Sequence, residues 1–297
     1  SRRASSRDGV TMTRMKHPSA GYTFLACIGI VALLFFLYLP IGRGLVYDWL
    51  NNPDYSHGFL IPVISLYMIW SRRSELMRAR RSPSMWGFVI LIAGVGQYIA
   101  GYIGAEHFLQ STSMLLVFSG IVVFLWGMET MRVLLIPIVF LIFMIPPPAI
   151  VWNNFAFLLK LFATKTAVFI MQAIGIIVLR EGNVLYLPSV TLEVVDACSG
   201  LRSLISLLAL GVLMGFVSNF STWKKWVMFL IAVPIAILSN IARLILTVAL
   251  AQWYGAEVTQ DLQHTASGIF VFAVGLILML LVYKLLTALN LPSERTP

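Results

Sequence analysis

The sequence predicts an all-α polytopic membrane protein with about eight transmembrane helices, a re-entrant or interfacial element and a small outer β-hairpin. Of its 297 residues, 59% are apolar and only 11% are charged, whereas soluble domains carry about 25% charged residues. The mean hydropathy is +0.89, and the few charges are clustered between long apolar runs. The net charge of +9 is typical of Lys and Arg retained in cytoplasmic loops, so no nucleic-acid partner is expected.

Eight apolar runs predict the membrane crossings. They are 22–39, 55–70, 86–105, 108–128, 133–146, 203–223, 226–252 and 265–283. The sequence therefore predicts one transmembrane domain, 21–289, between a cytoplasmic N-terminal tail, 1–20, and a short cytoplasmic C-terminal tail, 290–297.

The run 150–179 decides the orientation, because it is apolar but contains Lys160 and Lys165. If it makes no net crossing, 15 of the 21 basic residues lie on the cytoplasmic side, as the positive-inside rule requires. If the run 150–179 crossed the membrane once, Lys224 and Lys225 would lie on the outer side. We therefore expect a re-entrant, interfacial or hairpin element on the outer side, entered through three prolines, 146–148, where a helix cannot continue.

A small outer β-hairpin is predicted after this element. Strands are expected at 184–187 and 190–195, separated by Pro188-Ser189 and preceded by the turn pair Gly182-Asn183. The second strand leads through Cys198 to an apolar helix that is expected to begin at Leu204.

Cys198 is a candidate nucleophile because it lies where a strand gives way to a helix. A helix N-terminus favours the thiolate over the thiol. Asp196 or Ser199 would cap the helix, and Gly200 leaves room for a close approach of backbone. The alternative is a small buried residue at a loop-to-helix junction.

Two further candidates lie at the same predicted outer edge. Arg243 and Asn240 are three residues apart, so they share a helix face and a polar pocket. His264 opens the last span, with Asp261 available to orient it. The alternatives are an Arg that snorkels to headgroups and an ordinary interfacial His. Together, a thiol, an imidazole and a guanidinium are the groups that thiol acyl transfer needs.

Four stretches resemble the exosortase/archaeosortase family of membrane transpeptidase-like proteases. They are 52–62, Ile145-Pro146-Pro147-Pro148, the block 196–203 around Cys198-Ser199-Gly200, and 240–243 together with His264. The resemblance covers 22–283 and implies a catalytic site at Cys198, Arg243 and His264. The implied partners are secreted proteins with a C-terminal signal, which consists of a motif such as Pro-Glu-Pro, an apolar helix and a basic tail. It also implies a link to exopolysaccharide loci and a bacterial inner-membrane location, with the site facing the periplasm.

Four outer basic residues would bind an acidic substrate motif, with Arg202 expected to contribute most. The others are Arg180, Lys160 and Lys165. The alternative for each is contact with lipid headgroups. His57 is either an alternative base or part of a cap, Ser56-His57-Gly58, on the second span.

No cofactor or metal is expected, because no zinc motif, paired Cys-x-x-Cys or glycine-rich phosphate loop occurs in the sequence. A second hypothesis is a transporter or export component for an anionic solute or exopolysaccharide, with helices broken at Pro137 and Pro234. A third is a structural scaffold without chemistry. The oligomeric state is left open.

Overall fold

The computed structural model describes residues 20–188, 191–194, 200–254 and 266–289, which are mostly helical, as predicted. The α-helices are α1 (Ala20–Asn51), α2 (Leu60–Ser71), α3 (Arg73–Arg78), α4 (Trp86–Ile103), α5 (His107–Leu125), α6 (Met128–Phe140), α7 (Ala149–Ala173), α8 (Leu201–Val217), α9 (Thr222–Tyr254) and α10 (Ala266–Ala288). Two 3₁₀ helices, Pro53–Phe59 and Leu141–Met144, precede α2 and follow α6. The strands are β1 (Leu179–Glu181), β2 (Val184–Tyr186) and β3 (Thr191–Glu193).

The chain divides into two compact units, Ser1–Arg43 and Gly44–Pro297. Within the described residues, the first unit is the beginning of α1, which continues as helix through Pro40. All the candidate site residues belong to the second unit.

Six of the described helices, α1, α4, α5, α7, α9 and α10, contain segments long and apolar enough to cross a membrane, which indicates a multi-pass membrane protein. The predicted number of eight is not confirmed. The run 55–70 is divided between the first 3₁₀ helix and α2, which has 12 residues. The run 133–146 is divided in the same way between α6, which has 13 residues, and the second 3₁₀ helix. Helix α8 has 17 residues. Hydropathy detects an apolar run but not the type of helix that it forms.

Contacts of α8 and α9 define a basic end of the second unit. The Arg72 guanidinium lies 4.3 Å from the centre of the Phe216 ring, near the C-terminus of α8. Lys224, in the first turn of α9, donates from Nζ to the Leu289 carbonyl. The arginine-rich segment 72–81, which contains α3, and the lysines that begin α9 are therefore at the same end.

The opposite end, which we call the polar end, is where the first turn of α8 meets Asn240 of α9. About 27 Å of helix separates Thr222 from Asn240, close to the ~30 Å of a hydrocarbon core. Arg202 of the same turn is bonded to Asp54, so the first 3₁₀ helix also lies at the polar end.

Helix α7 is one unbroken helix of 25 residues, so a hairpin or re-entrant turn inside 150–179 is wrong. Near its start, the Trp152 ring centre lies 5.6 Å from that of Tyr55, at the polar end. Its C-terminal half packs on residues 241–248 of α9, beyond the contact with α8. Both halves are therefore near the polar end. By length and composition α7 could itself cross a membrane, so the absence of a net crossing stays a prediction.

The three strands form one antiparallel sheet in the order β1-β2-β3. Leu185 pairs with Leu192, so the two predicted strands do pair within the described residues. Strand β1 was not predicted. Gly182-Asn183 is the turn between β1 and β2, with Gly182 at a φ of +63°, and such a Gly-Asn pair between apolar runs is a hairpin signal.

Candidate active site

Helix α8 begins at Leu201, three residues earlier than predicted. Its N-cap position is occupied by Gly200, which has a φ of +79°. Asp196 and Ser199, which are predicted to cap this helix, lie outside the described residues, so that role stays a prediction. Glycine adopts a positive φ without the steric cost of a Cβ, so the chain can turn directly into α8 at this point.

The start of α8 is in tight contact with a buried polar pair on α9. A Cβ on Gly200 would lie 2.7 Å from Asn240 Cγ, so the space expected beside Gly200 is occupied by the Asn240 side chain. Asn240 Oδ1 accepts a hydrogen bond of 2.8 Å from Arg243 Nη2, as their spacing on one helix face predicts. Both side chains are buried. Arg243 is therefore held, through Asn240, beside the residue that starts α8.

Cys198, the predicted nucleophile, lies outside the described residues, and so do Asp196, Ser199, Asp261 and His264. Their roles stay predictions. Along the sequence, Cys198 precedes Gly200 by two residues and His264 precedes Ala266, the start of α10, by two.

Arg202 is already paired with a carboxylate of the same chain. Asp54 Oδ1 accepts hydrogen bonds from Arg202 Nε at 2.9 Å and Nη2 at 2.6 Å. Such charge-assisted bonds are stronger than neutral ones, although both side chains are about one-third exposed, at 37% and 35%. Sequence reasoning missed this partner because 148 residues separate the two. An acidic ligand that took the Nε and Nη2 donors of Arg202 would have to displace Asp54.

His57 fixes the first 3₁₀ helix against the second. Its Nε2 donates to the Phe143 carbonyl at 3.2 Å, since a carbonyl can only accept. Nδ1 is buried and has no hydrogen-bond partner among the described residues. Burial lowers the pKa of His57, and the Arg202 guanidinium lowers it further, while the bond to Phe143 and the Asp54 carboxylate act in the opposite direction.

The predicted cap Ser56-His57-Gly58 is wrong. No side chain caps α2, and the 3₁₀ helix before it is capped by Asn52, which accepts from the Asp54 amide at 3.0 Å. Gly58 instead allows the Trp49 ring to approach, since a Cβ there would overlap the indole.

The other three predicted substrate-binding residues lie in different environments. Lys160 is buried in α7, with its Nζ 5.7 Å from the Phe157 ring centre. Lys165 is exposed on the same helix. Arg180 is on β1 and donates to the Gly182 carbonyl at 3.2 Å. The contacts of the described residues do not join these side chains to Arg202.

A cavity of about 630 Å³ lies at the polar end. Its wall is contributed by the end of α1, the first 3₁₀ helix, the α4–α5 turn, Pro146-Pro147, the start of α7, and Arg202 of α8. Tyr55 is in this wall, and burial together with the carboxylates of Asp54 and Asp48 raises the pKa of Tyr55 to about 12. Its phenol is therefore protonated at neutral pH and available as a hydrogen-bond donor.

The family of this chain follows from a comparison with known families. Residues 49–281, well over half of the chain, match the family described as transmembrane exosortase. The chain belongs to this family. No curated protein and no solved structure shows a significant match to it.

In this exosortase, contacts or a shared cavity join the described parts of the four stretches on which the resemblance rests. Asp54 of the first stretch binds Arg202 of the third. Gly200 of the third contacts Asn240 of the fourth. Pro146-Pro147 of the second lines the same cavity as Asp54 and Arg202. Residues far apart in the sequence are thus gathered at one end of the molecule.

Proposed function

We propose that this exosortase is a membrane-embedded cysteine peptidase or transpeptidase, which cleaves a C-terminal sorting signal through a thioacyl intermediate. The observation that supports it best is the contact of Gly200 with Asn240, which itself holds Arg243. This contact brings a buried guanidinium to the segment next to Cys198. Donors that are fixed before the reaction stabilise a developing oxyanion most effectively in a site from which water is excluded.

In the proposed reaction, the Cys198 thiolate attacks the carbonyl carbon of the scissile peptide bond, and Arg243 stabilises the oxyanion. The C–N bond then breaks as the imidazolium of His264 gives its proton to the leaving amine. Water or an amine attacks the thioester, its proton passes to His264, and the thiolate is released. These steps use no cofactor.

The proposed site faces the periplasm of a bacterial inner membrane. The arginines of the segment 72–81 and the lysines of the basic end are the charges that the positive-inside rule retains in the cytoplasm. A secreted protein whose apolar helix ends in a cytoplasmic basic tail would present its preceding motif at the polar end. Both features support this orientation.

An acidic motif in the substrate would exchange with Asp54 for Arg202, or would bind Arg180, Lys160 or Lys165. Arg202→Ala should therefore weaken processing of an acidic-motif substrate much more than that of a substrate with a neutralised motif. Equal losses for both substrates would reject the role of Arg202 in motif recognition.

The proposed chemistry is tested by replacing the thiol. Cys198→Ala should abolish processing of a co-expressed substrate with a sorting signal, while the protein still folds and inserts. Cys27→Ser, the matched control, should process normally. In the wild type, mass spectrometry of a trapped intermediate should find the substrate acyl group on Cys198. Processing by Cys198→Ala would refute a thiol mechanism.

A transporter or export component is less well supported. That hypothesis expected helices broken at Pro137 and Pro234, but α6 and α9 continue as helix through these residues. A transporter would also tolerate Cys198→Ser, which the proposed enzyme would not.

A further inference from the structure

The cavity at the polar end carries more negative than positive charge. Asp48, Asp54 and Glu106 contribute carboxylates to its wall, and Arg202 is the one Lys or Arg among its described lining residues. Arg202 is bonded to Asp54. Asp48 and Glu106 therefore have no cationic partner in the part of the chain that the structure describes, and the wall is left with about two uncompensated negative charges.

The same wall presents aromatic surface. The tilted rings of Tyr55 and Trp152 have centres 5.6 Å apart, and both side chains are half-buried. Aromatic rings attract cations and also cover aliphatic groups. The volume of about 630 Å³ falls within the range of cavities that hold small ligands.

We infer that this cavity binds the lysine or arginine side chain of a polypeptide substrate. The carboxylates of Asp48 and Glu106 bind the cationic group, and the rings of Tyr55 and Trp152 cover its aliphatic stem. That the ligand belongs to a substrate rests on the proposed function, but the binding of a cationic side chain does not depend on Cys198. The inference assigns the substrate a basic residue, in addition to any acidic motif.

A lipid amine is a poorer ligand for this wall. The ammonium group of an ethanolamine headgroup is adjacent to a phosphate, which would face Asp48 and Glu106. Arg202 is the one Lys or Arg among the described lining residues, and the phosphate would have to compete with Asp54 for it. A peptide side chain carries its positive charge without such an anion.

The probes are N-acetyl-lysine amide, its neutral analogue N-acetyl-norleucine amide, and phosphoethanolamine. Binding to the purified full chain in detergent is measured by ligand-detected NMR titration. The lysine probe should bind about tenfold more tightly than the norleucine probe. This preference should decrease when NaCl is raised, because part of the attraction is between exposed charges.

The variant Asp48→Asn/Glu106→Gln should abolish this preference. Gln retains an oxygen for the helix-capping bond that Glu106 Oε2 accepts from the Leu109 amide. Glu129→Gln is the matched control, since Glu129 accepts from the Arg80 amide at the basic end, and it should bind as the wild type does.

Equal binding of the lysine and norleucine probes would overturn the inference. So would a lysine preference that persists in the double variant, or phosphoethanolamine binding as tightly as the lysine probe. If the double variant fails to fold, a preference in the wild type that is unchanged by salt would overturn it. Cys198→Ala should keep the preference, so loss of processing with intact probe binding separates the two proposals.

Discussion

The basic end and the polar end hold their charged groups in different ways. At the basic end, Arg72 lies over an aromatic ring and Lys224 donates to a backbone carbonyl. At the polar end, Arg202 is bonded to a carboxylate and Arg243 to a buried amide, beside a cavity. The charges of the basic end suit orientation in a membrane, whereas those of the polar end are arranged around a space that a ligand can enter. Substitutions at the polar end should therefore change activity, and those at the basic end should change stability slightly.

The largest effect is expected for Arg243→Lys. The lysine keeps the positive charge but loses the guanidinium geometry, so processing should fall by about 100-fold or more. The rate is measured at matched protein levels. Arg132→Lys, an exposed change in α6, should stay within about twofold of the wild type. An Arg243→Lys protein with normal activity would remove Arg243 from the proposed site.

A smaller but clear loss is expected for Gly200→Ala. The new Cβ would be strained at a φ of +79° and would meet Asn240, so the folded state should lose about 1 to 3 kcal/mol, together with activity. Thermal unfolding in detergent measures the loss of stability.

Gly96→Ala is the matched control, because a Cβ there meets nothing within 4 Å. It lies inside α4 and should leave Tm unchanged or slightly raised. If both variants lower Tm equally, the contact between Gly200 and Asn240 is not important for stability.

His57 should make stability depend on pH. Because the pKa of His57 is lowered in the folded protein by burial, the unfolded chain binds a proton first as pH falls below about 6.5. Stability should therefore decrease from about pH 6.5 downward. His57→Gln, which retains a donor for the Phe143 carbonyl, should lose less Tm between pH 7 and 5.

Gly96→Ala provides the comparison, since it changes no titratable group and should keep the wild-type pH dependence. If Tm of His57→Gln falls between pH 7 and 5 as much as that of the wild type, protonation of the His57 imidazole does not oppose folding.

The smallest effect is expected at the basic end. Arg72→Ala removes the contact with Phe216 and a salt bridge to Glu75 at 4.0 Å, which together should stabilise the fold by about 1 kcal/mol or less. Tm should fall by a few degrees while processing per folded molecule is unchanged. Arg78→Ala, with an exposed side chain, should leave both unaltered. A loss of processing in Arg72→Ala would contradict the separation of roles between the ends.

Much of the fold was predictable because apolar runs and turn residues act locally. The runs at 86–105 and 108–128 correspond closely to α4 and α5, and the strand pair around Pro188 was found from two strand-like segments and their turn residues. The errors have local causes too. Helix α2 is short because a 3₁₀ helix occupies part of its run, and α8 starts early because Gly200 takes a positive φ.

The candidate site was only partly predictable. The spacing of Asn240 and Arg243 was sufficient to place them together, because a helix has a fixed repeat. The bond between Asp54 and Arg202 was not, since 148 residues separate them and a sequence carries no distance between helices. The aromatic pair Tyr55 and Trp152 was missed for the same reason.

The sequence by itself determined that this chain is a multi-pass membrane protein of the exosortase family, because hydropathy and short motifs are properties of local segments. Only the tertiary structure decided that α7 is one continuous helix, that Arg202 is paired with Asp54, and that an acidic cavity lies beside this pair. These features depend on which helix ends meet, and that is set by packing between segments far apart in the chain.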